Sequence, residues 1–259
     1  MLKDAFCHSS NFFDLSSDKK SKYIYPTLEN KGGFGYVPAE HEHFNHDKPV
    51  DIKEAFDISP GVDQSRWPSE EDVPGFHRSM KSLIDQMTTL AHRLYYLVGI
   101  GLDLPDPNHL SRASFKGDGM LFRILNYPKV DHLSMLKPGQ VRCTGHTDYG
   151  FLTILYQDDC GGLEVMNREG EYVEAIPLKG TALVNVGDFL SMCTGEKLKS
   201  TMHQVLISEE NFGRRRQSIV MFCDPDGDFA LEPLCGNLEG LQPLTFNQWR
   251  NKRYAQTYR

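Results

Sequence analysis

"GHTDYGFLTIL", residues 145–155, sets two strong metal-binding side chains one residue apart and follows them with an apolar run. The run from Phe151 to Leu155 is short, β-rich and opened by glycine, which suits a strand. Residues two apart on a strand point to one face. His146 and Asp148 therefore both aim to the same side at its mouth. Two readings stand at this point: ligands of one metal, or a polar pair at a strand end. The rest of the chain decides, by whether it supplies further partners.

From about residue 120 onward the surrounding chain repeats the pattern. "GMLFRILNYP", "GLEVMN", "EYVEAIPL", "GTALVNVG", "STMHQVLIS" and "RRQSIVMFCDP" are short β-rich runs parted by glycine, proline or acidic turns. Strands at such intervals predict a sandwich or barrel of antiparallel sheets. Residues 1–119 read instead as a mainly helical part. Phe76, Met80, Leu83, Ile84, Met87, Leu90, Ala91, Leu94 and Val98 share one helical face. A shorter helix follows "LPDPNHL", with Asp106 as its cap and Pro107 in its first turn. A last helix starts at Thr245, with Gln248 placed for a capping box. The design is mainly β with outer helices: a helical part over 1–119 and a β core with its C-terminal helix over 120–259, one structural unit.

Bulk properties narrow the function. The chain has 259 residues, a net charge of −7, 39% hydrophobic and 24% charged residues. That is an ordinary globular composition. The acidic balance argues against nucleic acid, which calls for a basic face. It leaves room for a small-molecule substrate held by a single buried arginine. The six cysteines show no C-x-x-C pair, so neither a disulfide framework nor a structural zinc site is expected. "LYYLVGIGL" (94–102) is too short to span a bilayer, and "MLKDAFCHSS" lacks the layout of a signal peptide. The expected setting is cytoplasmic, without a membrane partner. The oligomeric state is not readable.

The missing partners come late in the chain. His203 stands inside the strand-like "STMHQVLIS", on one face with Thr201, Val205 and Ile207. An imidazole in such a face needs a reason. Two histidines and a carboxylate, with positions left open, make the facial triad of non-haem Fe(II) oxygenases. In "RRRQSIVMFC", Arg216 and Ser218 alternate onto one face with Val220 and Phe222. An arginine and a hydroxyl there can hold a carboxylate, the arginine in bidentate fashion. A zinc hydrolase could use the same three ligand types but would not need that arginine and serine. "HEHFNH" (41–46) has metal-like spacing but no carboxylate or cysteine frame, so it reads as a solvated loop. Arg214 and Arg215 read as solvent charges, and Asp188 as a turn residue.

These motifs resemble the isopenicillin N synthase-like family of Fe(II)- and 2-oxoglutarate-dependent oxygenases. "FRILNYP", "GHTDYGFLTIL", "GGLEV", "TALVNVGDFLSMCTGEKLKSTMHQV" and "RRRQSIVMFCDPD" match its core in order. "NFFDLSSDKKSKY", "GGFGYVP", "KEAFDIS" and "SRWP" match its helical N-terminal part, and "PLTFNQWRNKRYAQTY" its C-terminal helix. The resemblance implies a double-stranded β-helix, or jelly roll. It makes His146, Asp148 and His203 the iron ligands, and Arg216 and Ser218 the clamp for the distal carboxylate of 2-oxoglutarate. It gives Tyr127 a part in holding that co-substrate. Leu125 stands where many plant members have asparagine. The match to "NFFDL" begins near Met1, whereas relatives carry an earlier strand-rich segment. A missing strand would leave a sheet edge open to association.

The activity implied is oxidation, most often hydroxylation, of a C–H bond in a small organic substrate. It consumes O2 and 2-oxoglutarate and releases succinate and CO2, with ascorbate as an optional reductant. Two alternatives stay open on the sequence. One is an oxidase of the isopenicillin N synthase type that needs no 2-oxoglutarate. The other is a non-catalytic binding member of the family. Specificity is expected in the helical part, around "SRWP" and beyond "FCDPDGDF".

Overall fold

The computed structural model describes residues 1–24, 34–59, 66–209, 211–235 and 244–257. Ser65 of "SRWP", the glycines opening "GGFGYVP" and residues 236–243, within the stretch expected to set specificity, lie outside them. Along the chain run β1 (Phe34–Val37), β2 (Glu54–Ile58), β3 (Leu121–Tyr127), β4 (Cys143–His146), β5 (Leu152–Gln157), β6 (Leu163–Met166), β7 (Tyr172–Glu174), β8 (Leu183–Val186), β9 (His203–Val205) and β10 (Arg216–Cys223). A six-stranded sheet has the order β1-β2-β3-β10-β5-β8, and a four-stranded sheet the order β4-β9-β6-β7. All pairings of these strands are antiparallel. The two sheets face each other as a double-stranded β-helix.

Alternation along the strands of the larger sheet creates two different faces. Leu121, Arg123, Leu125 and Tyr127 of β3 point into the barrel with Arg216, Ser218, Val220 and Phe222 of β10. Phe122 and Ile124, with Ile219 and Met221, point the other way into the main hydrophobic core. The helices lie on that outer face: α1 (Leu2–Phe13), α2 (Ser17–Ser21), α3 (Phe76–Gly101) and α4 (His109–Ala113). α3 buries Phe76, Met80, Leu83, Ile84, Met87 and Ala91, the face expected from its spacing. Both faces of β3 and β10 are thus covered, and burial runs almost unbroken along both strands despite their polar residues. α5 (Asp188–Cys193) follows β8, and α6 (Phe246–Thr257) closes the chain. Among the described residues no helix is long and apolar enough to cross a membrane.

Several expectations change. The part before residue 120 is not simply helical. "GGFGYVP" and "KEAFDIS" supply β1 and β2, and β2 pairs with β3 to extend the larger sheet. Every residue of β2 is buried, so its period of two is hidden in the sequence. β1 is the edge strand, flanked on its free side by an isolated parallel bridge between Ile24 and Tyr36. Asp106 does not cap α4: that position is Asn108, whose N–H donates to Asp106 Oδ1 in a turn that precedes the helix. Pro107 lies in that same turn. The capping box of α6 forms: Thr245 N–H donates to Gln248 Oε1 at 2.8 Å, and Gln248 N–H to Thr245 Oγ1 at 3.4 Å.

Candidate active site

His146 ends β4 and His203 opens β9, and the pairing of these strands sets the two residues directly opposite each other. Asp148 is not on a strand. It sits on the turn into β5, so the chain's bend and not strand alternation brings it alongside. One ligand atom from each of the three residues lies within 4.8 Å of the others. Asp148 Oδ1 is 3.9 Å from His146 Nε2 and 3.7 Å from His203 Nε2.

The surroundings orient each donor atom. His146 Nδ1 lies 2.8 Å from the Thr144 carbonyl, and His203 Nδ1 3.0 Å from the Thr201 carbonyl. A carbonyl only accepts, so both Nδ1 atoms carry a proton and both Nε2 atoms are turned toward the carboxylate. Asp148 Oδ2 accepts from Thr153 Oγ1 and Asn185 Nδ2, each at 2.6 Å, which leaves Oδ1 to face the imidazoles. Burial, and then the neighbouring His203, push the His146 pKa down to about 3. Burial would raise Asp148. The two histidines and its two hydrogen bonds overcome that and hold it below the usual carboxylate range. His146 and Asp148 are therefore both deprotonated near neutral pH, the state a metal requires of its ligands.

The Asp148 turn is braced from two sides. Its carbonyl accepts the Asp188 N–H at 2.8 Å, at the start of α5. Gly187 is required here, because a Cβ would lie 2.5 Å from the Gly150 carbonyl oxygen. Asp188 Oδ2 accepts from Thr147 Oγ1 at 3.1 Å and pairs with Arg253 of α6. Tyr149 shares a hydrogen bond with Thr257 Oγ1, and Trp249 Nε1 donates to the Tyr149 carbonyl. Asp188 is thus the first residue of a short helix and a brace, not a turn residue between strands.

Arg216 and Ser218 lie deeper in the same cavity, each 1% exposed. Arg216 Nε donates to the Gly161 carbonyl and Nη2 to Gln157 Oε1. Arg216 Nη1 and Ser218 Oγ are buried and bond to nothing among the described residues. Tyr127 is opposite Arg216 in register, and the guanidinium sits 4.8 Å from the centre of its ring. Burial raises the Tyr127 pKa, so its phenol stays a neutral donor. The cavity joins these residues to the His–Asp–His group through apolar walls that include Leu125, Leu163 and Val205.

Other participants escaped the sequence. Thr153 and Asn185 are polar residues on apolar strands, the same signal that singled out His203, and could have been found by it. The "HEHFNH" loop is not merely solvated: Phe44 stacks on His146, with centroids 4.3 Å apart and planes at 10°. Glu42 is buried with Lys53 and Arg123. Lys53 in turn pairs with Asp51 and lies 4.3 Å from the Phe44 ring centre. His43 and His46 bond to the carbonyls of Lys48 and Gln256. Arg214 is exposed and pairs with Asp159. Arg215 is no free solvent charge. It donates to Asn126, Asp14 and the Ser10 carbonyl, tying α1 to the larger sheet.

Two imidazoles and a carboxylate can hold a divalent iron with further positions open, and the buried cation and hydroxyl nearby suit an anion. Similar proteins carry the same implication. A family model of the 2OG-Fe(II) oxygenase superfamily matches residues 119–225. A 2-oxoglutarate-Fe(II) type oxidoreductase of Metarhizium rileyi is 31% identical over 251 residues, covering 90% of this chain and 70% of the relative. A proline hydroxylase of Petromyces alliaceus is 30% identical over 276 residues, covering 100% of this chain and 86% of the relative. A full-length Neurospora crassa protein solved in complex with alpha-KG, that is 2-oxoglutarate, superposes with a TM-score of 0.86 at 29% identity, over 98% of this chain and 82% of that one. The chain belongs to the 2OG-Fe(II) oxygenase superfamily. It is an oxidoreductase whose cofactors are Fe(II) and 2-oxoglutarate, and it oxidises a small organic substrate with release of succinate and CO2.

Proposed function

We propose that His146, Asp148 and His203 are the iron ligands, and that Arg216, Ser218 and Tyr127 hold 2-oxoglutarate. The observation that carries this is the pair of orphaned polar atoms, Arg216 Nη1 and Ser218 Oγ, buried in the cavity that the three ligands share. A buried guanidinium N–H with no acceptor is costly, and a carboxylate placed between the two groups satisfies both. Bound iron supplies the oxidising chemistry with O2. The chain's own residues do the rest. Thr144, Thr201, Thr153 and Asn185 orient the ligand atoms, Arg216 and Ser218 fix the far end of the co-substrate, and the apolar walls exclude water. Hydroxylation is the outcome we assign. The substrate is a small molecule, with no nucleic acid or membrane surface involved, and thymine in one solved Neurospora crassa complex of this fold illustrates the scale. A cytoplasmic setting suits the six free thiols.

Replacing Arg216 tests the assignment. Truncating one side of a buried charge pair costs roughly 2–5 kcal/mol. Arg216→Ala should raise the 2-oxoglutarate requirement steeply and leave iron binding near normal. Arg216→Lys should rescue only in part, since lysine lacks two parallel donors. A variant that loses iron and keeps its affinity for 2-oxoglutarate would show the role to be misassigned.

A further inference from the structure

Beyond the iron ligands the cavity continues past the outer end of β10. Asp224 and Arg250 both line it there, together with Tyr254. The other charged side chains lining the cavity have been placed. Lys53 pairs with Glu42 and Asp51, Arg123 with Asp57 and Glu42, and Arg216 faces the co-substrate site. Asp224 and Arg250 differ. They bring a carboxyl and a guanidinium to one cavity, yet they do not form an ion pair with each other.

Each is held in place. Asp224 is 7% exposed, and among the described residues its Oδ1 accepts only the Phe151 N–H, at a long 3.3 Å. Among the described residues no donor reaches its Oδ2. The fold reserves space for this carboxyl: a Cβ on Gly150 would lie 1.5 Å from Asp224 Oδ1. Gly150 is two residues past Asp148, so Asp224 is packed directly against the turn that carries the ligand. Arg250 projects from α6, is half-buried, and among the described residues has one hydrogen bond, from Nη2 to Asn247 Oδ1 at 2.6 Å. Its other donors remain. A buried carboxyl with one weak bond is unfavourable unless a partner arrives. The missing partner must bring a donor to Asp224 and an acceptor to Arg250.

We propose that Asp224 and Arg250 are the specificity-determining pair, and that the substrate is a small molecule whose head group sets an N–H donor beside a carboxylate or carbonyl oxygen. The proposal rests on the oxygenase reading above and adds the chemical class of the substrate. Two kinds of molecule offer this head group: a free α-amino acid, and a ring with an amide or imide N–H. Binding there leaves the rest of the molecule directed toward the iron ligands. The pair binds and orients and takes no part in the oxidation.

The test uses the full chain loaded with Fe(II) and 2-oxoglutarate, with succinate release as the readout. The probes are free L-amino acids, cyclic amides and imides such as thymine, and the N-methylated or esterified counterparts of both. Stimulation is expected from one of the first two arms, with loss on N-methylation. For the stimulating probe, Asp224→Ala and Arg250→Ala should each raise KM by at least about tenfold, the scale of one charge-assisted hydrogen bond. The affinity for 2-oxoglutarate should not change. Should Asp224→Ala fail to fold, Asp224→Asn keeps an acceptor for the Phe151 N–H. It should weaken an amino acid strongly and a neutral ring N–H mildly, which tells the two sources apart. Stimulation only by molecules without the head group, no stimulation by either arm, or unchanged KM in the variants overturns the proposal. Failure of the wild-type chain to bind 2-oxoglutarate would instead overturn the assignment of its clamp.

Discussion

Asp148 uses its two oxygens for different tasks. Oδ2 is held by Thr153 and Asn185, and Oδ1 faces His146 and His203. Removing a ligand and removing its support should therefore differ in degree. Asp148→Ala or His203→Ala leaves two protein ligands and should abolish both iron binding and turnover while the fold survives. Asn185→Ala frees Asp148 to rotate and should weaken iron binding by about 10–100-fold, the usual cost of losing an outer partner of a metal ligand. An iron titration of the three variants checks the order. Equal affinity in Asn185→Ala and wild type would mean that Thr153 alone orients the carboxylate. The His–x–Asp pair was visible in the sequence because its chemistry is unusual. Its supports were not singled out, because threonine and asparagine on strands are common and only their shared inward face makes them meaningful.

At the level of elements, α6 is a brace for the metal turn. Arg253 reaches Asp188 and lies 3.5 Å from Thr147 Oγ1, and its guanidinium also sits 4.4 Å from the Tyr149 ring centre. Arg253→Ala should cost about 1–3 kcal/mol of stability, as for a lost bond between charged groups. It should also lower iron affinity, because the turn bearing Asp148 loses one of its two anchors. Urea unfolding with a parallel iron titration measures both. A loss of stability with no change in iron affinity would confine Arg253 to a structural role. The strands after residue 120 were legible from turn punctuation, α3 from its apolar stripe, and the capping box of α6 from Thr245 and Gln248. β1 and β2 were not. β2 is buried on every residue, so it shows no alternation, and β1 is four residues long. The clasp of α6 on the metal turn joins residues about a hundred positions apart, and no local pattern announces such a contact.

Across the whole molecule, two buried groups tilt stability in opposite directions. In the metal-free protein His146 stays neutral down to about 3, against 6.5 when unfolded. Between those values the unfolded chain takes up a proton that the folded chain refuses, so stability falls as pH falls, by up to about 1.4 kcal/mol per pH unit. Burial lifts Asp224 to about 7, against 3.8 unfolded. The folded chain then keeps a proton that the unfolded chain releases, so this contribution is lost as pH rises through the same window. The two slopes oppose each other. Metal-free wild type should show little change from these groups between about pH 4 and 6.5. Asp224→Asn removes one slope and should make stability climb with pH there. Unfolding curves at several pH values check this, and a flat profile in the variant would count against the buried neutral His146.

β10 has a consequence for how such a molecule can change over time. Its inward side chains, Arg216, Ser218, Val220 and Phe222, continue to Asp224, so a single extended segment runs from the inner end of the cavity to its outer end. At about 3.3 Å per residue this is a ruler of roughly 26 Å. In the proposed assignment the inner graduations serve the co-substrate. The outer ones look onto α6 and the 41–48 loop, which can be altered without re-spacing the rod. New substrates can thus be acquired by editing one end of the molecule, whereas deleting Gln217 near the start of β10 would turn Ile219, Met221 and Cys223 inward and displace every mark beyond Arg216 at once.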